Sequence, residues 1–205
     1  MATVTEKCLR QFGPDAAGTL MTPREFDRAD FVEGWRYELI RGVLIVTPIP
    51  LEKERDPNEE LGHLLREYRD RHPQGGTLDA TLFEHTVRTG PNRRRADRVI
   101  WAGLGRYPRR GETPTIIAEF VSAGKRDRTR DYEEKRDEYQ AVGVQEYWVI
   151  DRFNRTMTVY VRHGSKFRRR VLKEDQIYTT TLLPGFELPL ARLFALADRW
   201  PEEAE

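Results

Sequence analysis

Two apolar segments each carry a single acid where a buried strand would favour none. Asp97 stands in Ala96-Asp97-Arg98-Val99-Ile100-Trp101, and Glu119 in Ile116-Ile117-Ala118-Glu119-Phe120-Val121. A carboxylate on an apolar face is costly unless it is paired or holds a cation. Two such acids on consecutive strands, followed by a charged helix bearing Lys135, suggest a divalent-metal site that cuts phosphodiesters. A hard cation such as Mg²⁺ keeps several waters, so two or three protein carboxylates suffice. Such an ion polarises a phosphoryl oxygen and makes a bound water more acidic, while a lysine stabilises the developing negative charge or orients the attacking water.

Each of these residues also has a plainer reading. Asp97 and Glu119 can be buried salt bridges to two of the many arginines. Asp131, Lys135 and Tyr139 share a helix face at i, i+4 spacing, so Lys135 can equally be a surface partner of Asp131. Glu38, between Tyr37 and Leu39, completes the carboxylate set if its hairpin packs near the same end of the sheet. Glu84 is a weaker candidate that an exposed strand position explains. Arg93-Arg94-Arg95 and Lys125-Arg126 flank the acid strands and are placed to attract phosphates. Tyr139, Tyr147 and Trp148 read as core.

The elements that must position these groups follow from pattern. Residues 1–20 read as a loose lead-in, 21–200 as a single domain and 201–205 as an acidic tail. Thr22-Pro23-Arg24-Glu25 is a capping box that starts a helix running to about Asp30. Tyr37–Ile40 and Val43–Val46 flank Arg41-Gly42, which predicts a hairpin with a two-residue turn. Leu61, Leu64, Leu65 and Tyr68 predict an amphipathic helix from Asn58 to about His72. Strands are expected at Thr77–Thr89, Arg95–Trp101, Thr115–Val121 and Val144–Asp151, with a helix over about Arg128–Val142 that Gly143 stops. A β-meander and a closing helix over Leu190–Trp200 complete the chain. The fold class is therefore α/β, with a mixed central sheet flanked by helices, an N-terminal hairpin and a C-terminal meander.

Composition bounds the function. With 38% hydrophobic and 34% charged residues, and no apolar run near the roughly 18 residues of a membrane span, the chain reads as soluble and cytoplasmic. The single cysteine, Cys8, excludes an internal disulfide, and the scattered histidines offer no zinc spacing. The net charge of +1 conceals a basic segment: residues 88–130 hold twelve Lys/Arg against four Asp/Glu, a local +8 that leaves the rest about −7. That segment suits a polyanion partner better than a small neutral substrate.

Taken in order, the segments Tyr37-Glu38-Leu39-Ile40-Arg41-Gly42, Arg95-Ala96-Asp97, Glu119-Phe120-Val121-Ser122, Lys135-Arg136-Asp137-Glu138-Tyr139, Gly143-Val144-Gln145-Glu146-Tyr147-Trp148 and Leu183-Pro184-Gly185-Phe186 resemble a restriction-endonuclease family of the PD-(D/E)XK nuclease superfamily, one expanded in cyanobacteria and other bacteria. The resemblance spans roughly Met21 to Leu196. It implies a restriction-endonuclease-like core, cleavage of DNA dependent on Mg²⁺ (with Mn²⁺ as a substitute), and a homodimer. It further implies Asp97 and Glu119 as ligands, Glu38 as an additional acid and a metal contact from the Val121 carbonyl. The superfamily's usual lysine position holds Val121, and the family's displaced lysine maps onto Lys135. Three departures stand out: Ala96 replaces the usual proline, Ala-Gly-Lys follows Ser122, and the histidine common near the start of the first main helix has no clear equivalent around Glu52–Glu60. The other functional class consistent with these residues is a catalytically inactive module on the same fold that binds nucleic acid or protein.

Overall fold

The computed structural model describes residues 11–122 and 130–201. Gln11–Phe12 (β1) lies parallel to Asp30–Phe31 (β2), with the short helix α1 (Pro23–Phe26) between them. Thr22 and Glu25 form the expected capping box, but the helix ends a turn earlier than its pattern predicts because the chain turns into β2. Trp35–Ile40 (β3) and Val43–Pro48 (β4) form the hairpin, joined by Arg41 and Gly42, both at positive φ. That conformation gives a two-residue turn the twist its strands need.

Helix α2 spans Glu52–Arg71, six residues more at its start than the apolar spacing predicts. Pro57 lies inside the second turn of the helix. The true start is held by Glu54, whose side chain accepts from the Leu51 amide at 2.9 Å. Acids in the first turn also suit the positive end of the helix. Leu78–Thr89 (β5) and Asn92–Ala102 (β6) follow as a long hairpin, then Ile116–Phe120 (β7). A π-helical turn over Arg130–Glu134 leads into α3 (Lys135–Ala141), and Glu146–Asp151 (β8) runs parallel to β7. Thr156–His163 (β9) and Lys166–Lys173 (β10) extend the sheet. The pair Ile177–Thr180 (β11) and Leu183–Pro189 (β12) and the helix α4 (Leu190–Ala197) close the chain.

Among the described residues the main sheet has eight strands in the order β10-β9-β8-β7-β6-β3-β4, with β5 also on β6. Strand alternation sends Ile116, Ala118 and Phe120 of β7 and Trp148 and Ile150 of β8 to the face covered by α2, α4 and the β11–β12 pair. Ile117 of β7, Val121 just after it, and Tyr147 and Val149 of β8 meet Tyr139 of α3 on the other face. A third, smaller cluster (Met21, Phe26, Tyr37, Leu39, Leu44) lies beneath the first hairpin.

One feature of this sheet governs the site. β5 pairs with β6 along nearly its whole length, which occupies one edge of β6. The other edge is shared: β7 pairs with Arg98, Val99 and Ile100, while β3 pairs with Arg93. Between them, over residues 94–97, β3 and β7 diverge and the sheet forks. Backbone groups left over at a fork need partners, because an unpaired buried amide or carbonyl is costly.

Candidate active site

Side chains close the fork. The Arg95 amide donates to Glu38 Oε1 at 2.8 Å, and Arg36 Nη2 donates to the Arg95 carbonyl at 2.9 Å. Arg36 and Glu38 stand two apart on β3, so the pleat points both into the gap. The alternate residues Tyr37 and Leu39 enter the core beneath the hairpin. At the other branch the Phe120 amide, at the end of β7, donates to Asp97 Oδ2 at 2.7 Å. The Asp97 carbonyl accepts from Asn58 of α2 at 2.9 Å.

The structure gathers Glu38, Asp97, Glu119 and Lys135 around this opening. Asp97 Oδ1 meets Arg36 Nη2 at 2.8 Å, and Arg36 Nε meets Glu84 at 3.1 Å. Glu119 Oε2 meets Lys135 Nζ at 2.8 Å, and Glu119 Oε1 accepts from the Tyr139 hydroxyl at 2.9 Å. Lys135 is 2% exposed, so it is a buried residue and not a surface one; the Asp131 side chain, its expected helix partner, lies outside the described residues. The reading of Asp97 as a buried partner of an arginine describes a contact that is present, with Arg36. Glu84 is half-buried rather than on an open strand face, and it bridges Arg36 and Arg95. Val121 follows β7 directly, its amide donating to the Ile150 carbonyl at 2.9 Å and its side chain in the core.

Two cavities open on the fork. One, of about 300 Å³, is lined by Glu38, Leu51, Glu54, Ser122, Lys135 and Arg36. The other, of about 450 Å³, is lined among others by Trp35, Glu54, Phe83, Arg95, Asp97 and Arg36. Arg36 and Glu54 belong to both. Electrostatics match this crowding. Burial would lower the Arg36 guanidinium, but Asp97, Glu84, Glu119 and Glu38 outweigh it and hold it charged beyond its ordinary range. Burial, then the charges of Glu119 and Glu38, push the Tyr139 hydroxyl well up, so it stays a proton donor to Glu119. Burial raises Glu54 against the pull of the Leu51 amide and Arg152, and raises Glu84 against that of Arg36.

The donor set suits a hard divalent ion that retains waters. Asp97 and Glu119 lie on neighbouring strands, and each is paired with a cation, Arg36 and Lys135 respectively. Among the described residues no three of Asp, Glu, His or Cys form a group able to hold a metal by themselves. The fit is thus to a site of one or two carboxylates completed by water, the arrangement Mg²⁺ commonly takes.

Three participants lie outside the sequence reading. Arg36 had a signal, its i−2 spacing from Glu38 on a strand. Glu54 had one as the acid of the first helical turn, hidden because the helix was read as beginning later. Tyr139 shows at i+4 from Lys135 but reads as core packing, and it is fully buried as well as bonded to Glu119. The phosphate-binding reading of the arginine run is corrected for two members: Arg93 is bidentate to Asp27 (2.7 and 2.9 Å), and the buried Arg94 meets Glu138 at 2.5 Å. Lys125-Arg126 lies outside the described residues.

A mixed sheet between helices, forked to hold two acids and a lysine, is a restriction-endonuclease-like fold. It is similar to the crystal structure titled as a putative nuclease belonging to DUF820 from Anabaena variabilis ATCC 29413, with TM-score 0.67, 18% identity, and coverage of 86% of this chain and 99% of that one. The family described as "Putative restriction endonuclease" (Uma2) matches residues 23–191, and the chain belongs to that family. No functionally curated protein matches it.

Proposed function

We propose that this protein is an endonuclease that hydrolyses DNA phosphodiester bonds with Mg²⁺, or Mn²⁺ in its place. The observation that carries this reading is the buried Lys135–Glu119 pair at 2.8 Å, beside Asp97 and at the wall of an open cavity. Lys135 lines that cavity although it is 2% exposed, so the pair stands at the boundary between the core and the opening. Asp97 and Glu119 would hold the ion, with Glu38 at the margin of its shell and the Val121 carbonyl as a possible further donor. Bound there, the ion supplies Lewis-acid polarisation of the phosphate and a more acidic water. Lys135, held beside Glu119, would offer its ammonium group to charge developing on the phosphate oxygens. Tyr139 fixes Glu119 so that one oxygen stays directed at Lys135. The enzyme would act in the cytoplasm as a homodimer, since cutting both strands of a duplex needs two sites; among the described residues no helix is long and apolar enough to cross a membrane.

A second reading has an observation of its own. Both Asp97 oxygens are engaged, by Arg36 and by the Phe120 amide, as they would be in an inactive module whose acids serve folding. Conversion of supercoiled plasmid in Mg²⁺ or Mn²⁺ decides between them. Wild type should nick or linearise it, and Lys135→Ala should be slower by about 10²–10³-fold, the usual cost of losing one charge-stabilising donor. Equal rates for the two proteins would remove Lys135 from the chemistry, and no cutting by wild type would favour the inactive module.

A further inference from the structure

Arg36 stands where the site's cation would. Its side chain is 14% exposed, its Nη2 touches Asp97 Oδ1 at 2.8 Å and the Arg95 carbonyl at 2.9 Å, and its Nε touches Glu84 at 3.1 Å. Four carboxylates contribute to holding it charged. It also forms part of the wall of both cavities, so it is neither enclosed nor without room to move.

Resting on the metal-dependent reading above, we propose that Arg36 is a built-in occupant of the cation position at Asp97. A divalent ion binds by displacing its Nη2 contacts, and the freed guanidinium turns into the larger cavity, where it meets a phosphate of the substrate. The contact between Nε and Glu84 supplies the pivot, because it lies on the side of that cavity and does not involve Asp97. A planar fork makes such an occupant effective: it satisfies Glu84, Asp97 and a carbonyl together, which the point charge of a lysine cannot. The apparent affinity for metal is then reduced by the fraction of molecules in which Arg36 is displaced. Arg36 is by this account a positioning residue that sets when the site accepts its ion.

The test is calorimetric titration of the full chain with Mn²⁺, without nucleic acid, for wild type, Arg36→Lys and Arg36→Met. Arg36→Lys keeps the charge but not the fork, so it should bind Mn²⁺ severalfold more tightly, and Arg36→Met about tenfold or more. A static counter-ion would act only through charge and leave Arg36→Lys at wild-type affinity; that result overturns the proposal. If Arg36→Met does not fold, the lysine variant carries the test alone. If wild type itself takes up no Mn²⁺, the metal-dependent reading fails first and the displacement mechanism with it, a result distinct from equal affinities.

Discussion

At the scale of single residues, the site is a set of acids whose costs differ with their partners. Asp97, Glu119 and Glu84 each face a cation. Glu54 takes its one short contact from the Leu51 amide, with Arg152 at 4.0 Å. Burial sets its direction: its carboxyl lies above the ordinary 4.5. A raised acid contributes stability that is fully present below its unfolded value and lost as the pH rises through its folded one. Glu54→Gln should therefore raise the urea midpoint at about pH 8 and lose that advantage by about pH 4. Parallel denaturation curves for the two proteins across that range check this; a difference that grows towards acid would contradict it. Glu54 was hidden in the sequence because nothing in Leu51-Glu52-Lys53-Glu54 shows which acid turns inward until the helix start is known. Asp97 and Glu119 were legible for the opposite reason: an ionisable group inside an apolar strand is conspicuous.

At the scale of elements, that same criterion has a limit that β8 exposes. Glu146 is 4% exposed in a strand as apolar as β7, yet it lines neither cavity of the fork. It accepts from Trp148 Nε1 (2.9 Å), Tyr178 (2.7 Å) and Thr180 (2.6 Å), fastening the β11–β12 pair to the main sheet. Apolar context alone marks buried acids; only the partners, neutral donors here and cations at the fork, separate a fastener from a candidate site. The placement of α3 was out of reach for a related reason. Its pattern predicts a helix, but what sets its depth is Arg94 on β6, which clamps Glu138 while Thr89 and Asn92 hold the same carboxylate at 2.6 and 3.0 Å. Arg94→Met should cost about 3 kcal/mol, the lower end for breaking one side of a buried pair. It should also slow cleavage by letting Lys135 drift, since Lys135 begins the same helix. Unchanged urea midpoint with unchanged rate would show that α3 is held by packing on Tyr139 alone.

At the scale of the whole molecule, the hairpins and the mixed sheet flanked by helices follow from alternation and turn chemistry and were legible; the strand order was not. Nor was the fork, because no local pattern says that two strands will share one edge of a third. The far edge of the sheet carries its own design. β10 ends the strand order, and it presents Lys166, Arg168, Arg169, Arg170 and Lys173, all exposed, with no acid among its eight residues. Charge along an open edge opposes strand-to-strand association. Replacing Arg168, Arg169 and Arg170 together with Thr should produce larger species as concentration rises, measured by light scattering; a constant mass would show that the edge needs no such guard. The fork itself has a consequence for descent. Because Glu38, Arg36 and Asp97 supply hydrogen bonds that the diverging strands cannot make for each other, folding alone penalises their loss. A lineage that had abandoned cutting would still be selected to keep those three, and the buried Lys135–Glu119 pair would be kept for the same reason.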